Sequence, residues 1–471
     1  MTTVLAIDQG TSGTKATVVN GHGAVIGLSE VSIRPTYLSG GGVEQDPTEL
    51  FNSIIHVGKA AISDAGGVSI DVVSFANQGE SVLAWNPETG EALSNIIVWQ
   101  DRRSESLIKE LEPFAKEIEA KSGLVLDPYF SAPKMAWLRR HVTRNGVVTT
   151  TDAWVIYKLT GEFVTDASTA SRSLALDLDT GNWDKSLLKH FGLEDEPLPR
   201  IVDSDEIVGT TTLFGDETPI AGLIVDQQAA LAAQNCLRPG EAKCTFGTGA
   251  FLLAQTGHRA PRSSAGLSAS IAWSTKGKVQ YCLDGQVYTA ASAVRWLTDL
   301  GFIESAEDAD RVAAADSEGV YCVPALAGLA APWWRSDAKA SLHGLTLSSG
   351  RGHIVRATLE GIAAQVAEVI NAMVVDLGHP LSRLRVDGGL TQSRVLMQSV
   401  ADIAQIPVDL YPSPHATPLG SAAFALAAMD PLTPLEEAVI PWQPAETYEP
   451  VWSESQAQEF RTKWGSLASA E

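Results

Sequence analysis

The sequence predicts an α/β protein built from two domains, and three observations carry that expectation. At about 150 residues per domain, a chain of 471 residues gives two or three, each long enough to bury a core without a disulfide or metal staple. Apolar runs of strand length alternate with helix-length segments, the pattern of a layered α/β fold. A strand, Gly/Thr turn, strand unit near the N-terminus returns about half a chain later, which points to duplication.

Residues 3–8, Thr-Val-Leu-Ala-Ile-Asp, form the first strand candidate. Turn residues 9–14 follow, then a strand over 15–19 that ends on the hairpin signal Asn20-Gly21. A third strand is expected over 24–27, so the chain opens as an antiparallel meander. Asp46-Pro47 starts a helix running to Ala65. Residues 71–75 and 96–99 read as buried strands, the latter ending in Gln100-Asp101-Arg102-Arg103. In the second half, residues 242–246 and 250–254 are strands around Gly247-Thr248-Gly249. Arg238-Pro239-Gly240 interrupts the pattern just before them, so the expected domains are 1–237 and 238–471. A long helix is expected over 352–377, with Ile354, Thr358, Ile362, Val366, Val369 and Met373 on one face. A last strand, 384–386, runs into Asp387-Gly388-Gly389, and 453–469 closes the chain as an amphipathic helix.

Composition excludes several roles. Acidic residues outnumber basic ones 56 to 34, a net charge of -22, and such a surface repels nucleic acid and anionic membranes. With 45% hydrophobic and 19% charged residues the chain is not expected to be disordered. Cys236, Cys244, Cys282 and Cys322 show no C-x-x-C spacing and read as reduced, buried thiols. The N-terminus shows neither a basic n-region nor an apolar h-region, so no secretory signal is expected. The longest apolar stretch, 321–334, is broken by Pro324, Gly328 and Pro332 and falls short of the ~20 residues that span a bilayer. The expected setting is cytoplasmic, and a homo-oligomer is left open.

Three Gly-rich turns follow strands: residues 8–15, 246–249 and 387–389. Glycine lets backbone approach a phosphate, and successive N–H groups with Thr or Ser hydroxyls make an anion nest. None is a Walker A loop or a Rossmann fingerprint, so a nucleotide would be gripped by hairpin turns. Asp8 ends the first strand and reads either as a holder of Mg²⁺ through water or as a turn-capping residue. Asp226 stands where a strand passes into a helix expected from Ala229. It reads either as an acceptor of a substrate proton in the usual α/β ligand crevice or as a plain N-cap. Asn77-Gln78-Gly79-Glu80, Trp99 and Tyr129 add polar groups and aromatic faces that suit a polyhydroxylated ligand.

At these residues the chain resembles the FGGY carbohydrate kinases, and among them the glycerol kinases most. Tyr129-Phe130-Ser131-Ala132-Pro133-Lys134-Met135-Ala136-Trp137-Leu138 is similar to the family's first signature, and the stretch from Asp387-Gly388-Gly389 to Gln398 is similar to its second. Val43-Glu44-Gln45-Asp46-Pro47, Asp226-Gln227-Gln228-Ala229 and Gly328-Leu329-Ala330-Ala331-Pro332 match as well. The resemblance covers essentially the whole chain. It implies the actin-like ATPase fold, two domains each with a duplicated RNase H-like core, with the acceptor on the first domain's side and the nucleotide on the second's. It implies ATP and Mg²⁺ as cosubstrate and cofactor and a small polyol or sugar as acceptor. Asp226 would be the general base and Asp8 the Mg²⁺ holder. Gly79, Glu80, Trp99, Tyr129, Asp226, Gln227 and Phe251 would line the acceptor pocket.

Nucleotide would meet Thr11, Ser12, Lys15, Thr248, Ala291, Arg295, Gly389 and Ser393. Glycerol kinases carry Gly, Gln and Asn where this chain has Ala291, Arg295 and Ser393. They also carry Arg at the position of Gly79. Loss of that side chain removes hydrogen-bond donors and opens volume, which keeps a ketose such as xylulose or ribulose in view as acceptor. An actin-like ATPase switch is the alternative of another class.

Overall fold

The computed structural model describes residues 2–470. Its frame is two sheets of matching topology. In the first, β1 (Val4–Gln9), β2 (Gly13–Val19) and β3 (Val25–Ser32) form the expected antiparallel meander. Helix α1 (Pro47–Asp64) follows, started by the Asp46 carboxylate, which accepts the N–H groups of Thr48 and Glu49. Strand β4 (Val72–Asn77) then lies parallel to β1. Strands β5 (Gly209–Thr211) and β6 (Thr218–Val225) complete the order β5-β6-β4-β1-β2-β3, with β6 parallel to β4 and β5 antiparallel at the edge.

The second sheet repeats this plan. After helix α2 (Asp226–Ala233), strand β7 (Ala242–Phe246) pairs antiparallel with β8 (Ala250–Gly257). Strands β9 (Ser268–Thr275) and β10 (Lys278–Val287) extend that meander. Helix α3 (Arg351–Leu377) crosses the sheet, and β11 (Leu384–Asp387) returns parallel to β7. Strand β12 (Val408–Leu410) adds in parallel and Glu446–Tyr448 in antiparallel, giving the order β9-β10-β8-β7-β11-β12 and then that edge. A meander, two parallel strands and an antiparallel edge thus occur twice. The hydrophobic patterning is the cause: β1, β4 and β6 are buried almost throughout, as sheets covered on both faces require.

Helix α3 carries the expected apolar face. Among the described residues it is the one helix long and apolar enough to cross a membrane, and most of it is buried inside the protein. All four cysteines are buried and unpaired.

Two expectations need correction. The run 96–99 is not a four-residue strand: only Ile96–Ile97 pairs, because the Asp101 N–H donates to Val98 O and turns the chain. That pair belongs to a five-stranded sheet inserted between residues 36 and 150, which no turn signal announced. Helix α2 starts at Asp226 rather than at Ala229. Helix α4 (Ala416–Met429), late in the chain, packs on the first sheet. There Ser421 and Ser74 hydroxyls share a 2.9 Å hydrogen bond, and Gly420 lies so close to Ala229 that a Cβ would fall 1.9 Å from its carbonyl oxygen.

Candidate active site

Sheet register gathers the chemistry. Gln9 pairs with Asn77, and Asn77 with Val225, so the C-terminal ends of β1, β4 and β6 are level. The segments that leave them, 78–80 and 226–227, emerge side by side in the crevice that parallel strands form at their ends. In the second sheet Thr245 pairs with Asp387, which levels β7 with β11 in the same way.

The seven residues expected around the acceptor, Gly79, Glu80, Trp99, Tyr129, Asp226, Gln227 and Phe251, line one cavity of about 70 Å³. Trp99 is its hub: its ring lies 5.5 Å from Tyr129 and 5.8 Å from Phe251, both edge-on. Its indole N–H donates to Thr11 Oγ1 at 2.8 Å. The Tyr129 loop is fixed from two sides. Asp127 accepts its N–H at 2.8 Å, and Lys134, fully buried, donates to the carbonyls of Pro128, Tyr129 and Phe130. Burial brings that ammonium down to about 7. The 78–81 turn is tied down by Gln78 N–H to Gln9 O, Ser81 N–H to Gly79 O and Ser81 Oγ to Gln78 Oε1. Within it Glu80 holds φ +57°, a left-handed conformation that costs a non-glycine residue free energy.

Two charged cavity residues, Arg172 and Asp284, escaped the sequence reading. Arg172 donates from Nε to Glu80 Oε1 at 2.5 Å and from NH1 to Asp284 Oδ2, and both carboxylates line the cavity with it. A guanidinium thus lines the cavity along with Gly79, supplied from elsewhere in the chain. The signal was an arginine alone in the small-residue stretch Thr169-Ala170-Ser171-Arg172-Ser173, and an aspartate inside the apolar strand β10.

Asp226 is the first helical residue of α2, and Val225 holds the N-cap position, so the capping alternative fails. Burial and then the charge of Glu80 raise its carboxyl to about 6, against the pull of Lys243. Asp8 is raised further, to about 7, by burial and then by Asp226. Burial also raises Asp387. Lys243 lies among these carboxylates, its own value lowered by burial. Its Nζ donates to Gln227 Oε1 at 2.5 Å and to Thr245 Oγ1 at 2.9 Å, and that hydroxyl donates to Asp387 Oδ1 at 2.6 Å. One chain of hydrogen bonds thus links the residue beside Asp226 to the end of β11.

The nucleotide candidates divide. Ser12, Thr248 and Gly389 are exposed at the tips of the three turns, while Thr11 lines the acceptor cavity. Lys15 sits opposite Asp8 on β2, 3.4 Å from Glu30. Ala291 is drawn to the 247–248 turn, its N–H donating to Gly247 O at 3.1 Å. Ala291 opens the helix Ala291–Asp299, and Arg295 lies exposed one turn further along it. Ser393 caps the helix Arg394–Ala404 and donates to Asp310, so its hydroxyl is already engaged.

Among the described residues no group of three or more His, Cys, Asp or Glu side chains could hold a metal by itself. Asp8 beside Asp226 and Asp387 fits a hard cation that takes most of its ligands from phosphate and water. A divalent charge there would relieve the repulsion that raises Asp8.

Comparison with known proteins agrees with this geometry. The N-terminal domain model of the FGGY family of carbohydrate kinases matches residues 3–233, and the C-terminal domain model matches residues 242–429. Glycerol kinase of Trichlorobacter lovleyi is 40% identical over 98% of this chain and 97% of that protein. Glycerol kinase of Alkalilimnicola ehrlichii is 42% identical over 91% and 90%. The crystal structure of Plasmodium falciparum glycerol kinase with ADP superposes with a TM-score of 0.91 at 31% identity, covering 100% of this chain and 98% of that one. Xylulose kinase of Lactobacillus acidophilus shares the fold, with a TM-score of 0.90 at 21% identity over 100% and 98%. With both domain models matched in order, the chain belongs to the FGGY family of carbohydrate kinases.

Proposed function

We infer that this kinase transfers the γ-phosphoryl group of ATP to a hydroxyl of a neutral polyol, with Asp226 as the base, and that glycerol heads the list of acceptors. The observation that carries the reading is the convergence of seven residues from five separate segments on one small cavity floored by Asp226. The 40% identity to glycerol kinases supports glycerol as the first acceptor to try.

Phosphoryl transfer asks for positioning and charge stabilisation more than for covalent chemistry. Trp99, Tyr129 and Phe251 cover the C–H faces of a polyol, and Glu80 and Gln227 take hydroxyls. Asp226, raised to about 6, is ionised at neutral pH yet basic enough to accept the proton of the attacking hydroxyl as the P–O bond forms. ADP leaves with the bridging oxygen's electrons. Mg²⁺ held with the nucleotide near Asp8 would supply charge neutralisation to the phosphates. The exposed turns at Ser12, Thr248 and Gly389 offer N–H groups and hydroxyls to the same phosphates, with Lys15 beside them. Burial of the cavity keeps water, a competing acceptor, away from the transfer.

We place the domain boundary at 237/238, with the acceptor side before it. The family models stop at 233 and resume at 242, around Arg238-Pro239-Gly240. An ATPase switch would have no use for an aromatic cavity ending on a carboxylate. A coupled ADP-release screen over glycerol, tetritols, pentitols and ketoses tests the reading. Acceptor-dependent release led by a neutral polyol is expected. ADP release indifferent to every acceptor would refute it.

A further inference from the structure

We propose that Arg172 is the specificity-determining guanidinium of the acceptor cavity: clamped between Glu80 and Asp284, it donates to an acceptor hydroxyl other than the one that attacks, and the clamp turns away anionic acceptors. This rests on the kinase reading above and deepens it.

The local structure aims the side chain. A short helix, Ala167–Ser171, is started by the Asp166 carboxylate, which accepts from Ser168 and Thr169, and Arg172 closes it with its N–H on Thr169 O at 3.1 Å. The residue is 4% exposed. Its guanidinium carbon lies 5.7 Å from the Tyr129 ring and 5.3 Å from that of Phe130, so aromatic faces hold the planar group while carboxylates hold its edge. Glu80 and Arg172 come from the first half of the chain and Asp284 from β10 of the second sheet. The pair of salt bridges therefore joins the two halves of the chain at the cavity lining.

Stability is a poor reason for this arrangement. Desolvating three charges costs more than such contacts commonly return, and two carboxylates on one guanidinium leave a net negative charge in the interior. Glu80 adds the cost of its left-handed backbone. Recognition is a better reason. Of five guanidinium N–H groups, Glu80 and Asp284 engage two and the Tyr129 phenol lies beside a third. The remainder belong to a group that lines the cavity. A polyol hydroxyl can accept from Arg172 and donate to Glu80 or Asp284 at once. A substrate carboxylate or phosphate cannot donate, and it meets Glu80, Asp226 and Asp284 with one guanidinium already paired. Of the other buried cations, Lys243 is turned to Gln227 and Thr245, and Lys134 to the carbonyls of Pro128, Tyr129 and Phe130.

The test compares wild type, Arg172→Gln, Arg172→Lys and Asp284→Asn on glycerol, erythritol, xylitol, xylulose, glycerate and gluconate, with ADP binding measured separately. In Arg172→Gln, kcat/KM for the preferred neutral acceptor should fall roughly ten- to a hundredfold, the range for losing a hydrogen bond from a charged donor. The fall should appear mainly in KM, with the ADP Kd within twofold. The ratios between acceptors should change by at least about tenfold, which a general loss of packing would not do. Arg172→Lys should recover part of the activity without the ratios. Asp284→Asn removes one repelling carboxylate and should raise glycerate or gluconate relative to the neutral acceptor. If Arg172→Gln does not fold, Arg172→Lys and Asp284→Asn decide the matter by the same ratios. Equal losses for all acceptors, or a wild type that prefers glycerate or gluconate, would overturn the proposal alone. A wild type that turns over no acceptor would remove the kinase reading and this proposal with it.

Discussion

Replacing Asp226 by Asn should make the protein more stable and nearly inactive at the same time, and the stability gain should depend on pH. The native carboxyl keeps its proton to about pH 6, whereas an ordinary aspartate loses it near 3.8. Between those values the native state binds more protons than the unfolded one, so stability falls as pH rises. Above about 6 the full cost is in force, ~3 kcal/mol at 1.36 kcal/mol per pK unit. Asparagine cannot ionise and escapes it. That figure is already net of the favourable charge in the first turn of α2. The gain is therefore up to ~3 kcal/mol above pH 7 and vanishes below pH 4. Asp8 gains too, since Asp226 is the second cause of its raised value. Calorimetry of the ligand-free protein at pH 8 should show Tm a few degrees higher for Asp226→Asn, and at pH 4 no such gain. Turnover should fall at least ~10²-fold, as for loss of a general base, with ADP affinity little changed. A variant less stable than wild type at pH 8, or equally shifted at both pH values, would refute the electrostatic reasoning. Near-normal turnover would refute the catalytic role.

The remaining expectations follow from the same geometry. The pH profile of kcat/KM should rise through about 6, and at pH 5 activity should be about a tenth of its plateau, one pK unit being tenfold. Lys243→Met should move that limb upward, because the ammonium favours ionised Asp226. A limb that stays put would exclude that pull of Lys243 on Asp226. Gly79→Ala should cost less than ~1 kcal/mol in denaturation, since Gly79 needs no left-handed φ and its Cβ would meet only Val225 Cγ2, at 3.0 Å. Gly420→Ala should cost more than ~3 kcal/mol or prevent folding. Its Cβ would fall 1.9 Å from the backbone oxygen of Ala229 in the helix that begins at Asp226. A thermal scan that leaves Gly420→Ala unchanged would contradict that packing.

What the sequence made legible was local. The Gly/Thr turns, the buried strands and the long helix each carry their signal within a few residues, and the structure places them within one to three residues of expectation. The duplicated topology was legible because both meanders open on the same turn chemistry. The site was legible where motifs marked strand ends, as at Asp8, Asp226 and Asp387. What stayed hidden was pairing at long range. Arg172 meets Glu80 across 92 residues and Asp284 across 112, and no spacing rule connects them. The inserted five-stranded sheet was hidden for a related reason: its strands are two to four residues long and too short to show a period.

Costly groups gather around the candidate site, and that clustering has a physical reason. Glu80 is strained, Lys134 and Lys243 are buried cations with lowered values, and Asp8, Asp226 and Asp387 are buried anions with raised ones. Local propensity would place none of them inside. They persist because the surrounding segments leave them no alternative: three carbonyls surround the Lys134 ammonium, and Gln78, Ser81 and Gln9 pin the turn that strains Glu80. A site prepared in this way has met much of its reorganisation cost during folding, so an acceptor hydroxyl arrives at dipoles and charges already oriented. The same preparation explains why removing the charge of Asp226 should release stability while removing function. On the proposed reading, Glu80 and Asp226 are held against the preferences of the fold because the transfer uses them.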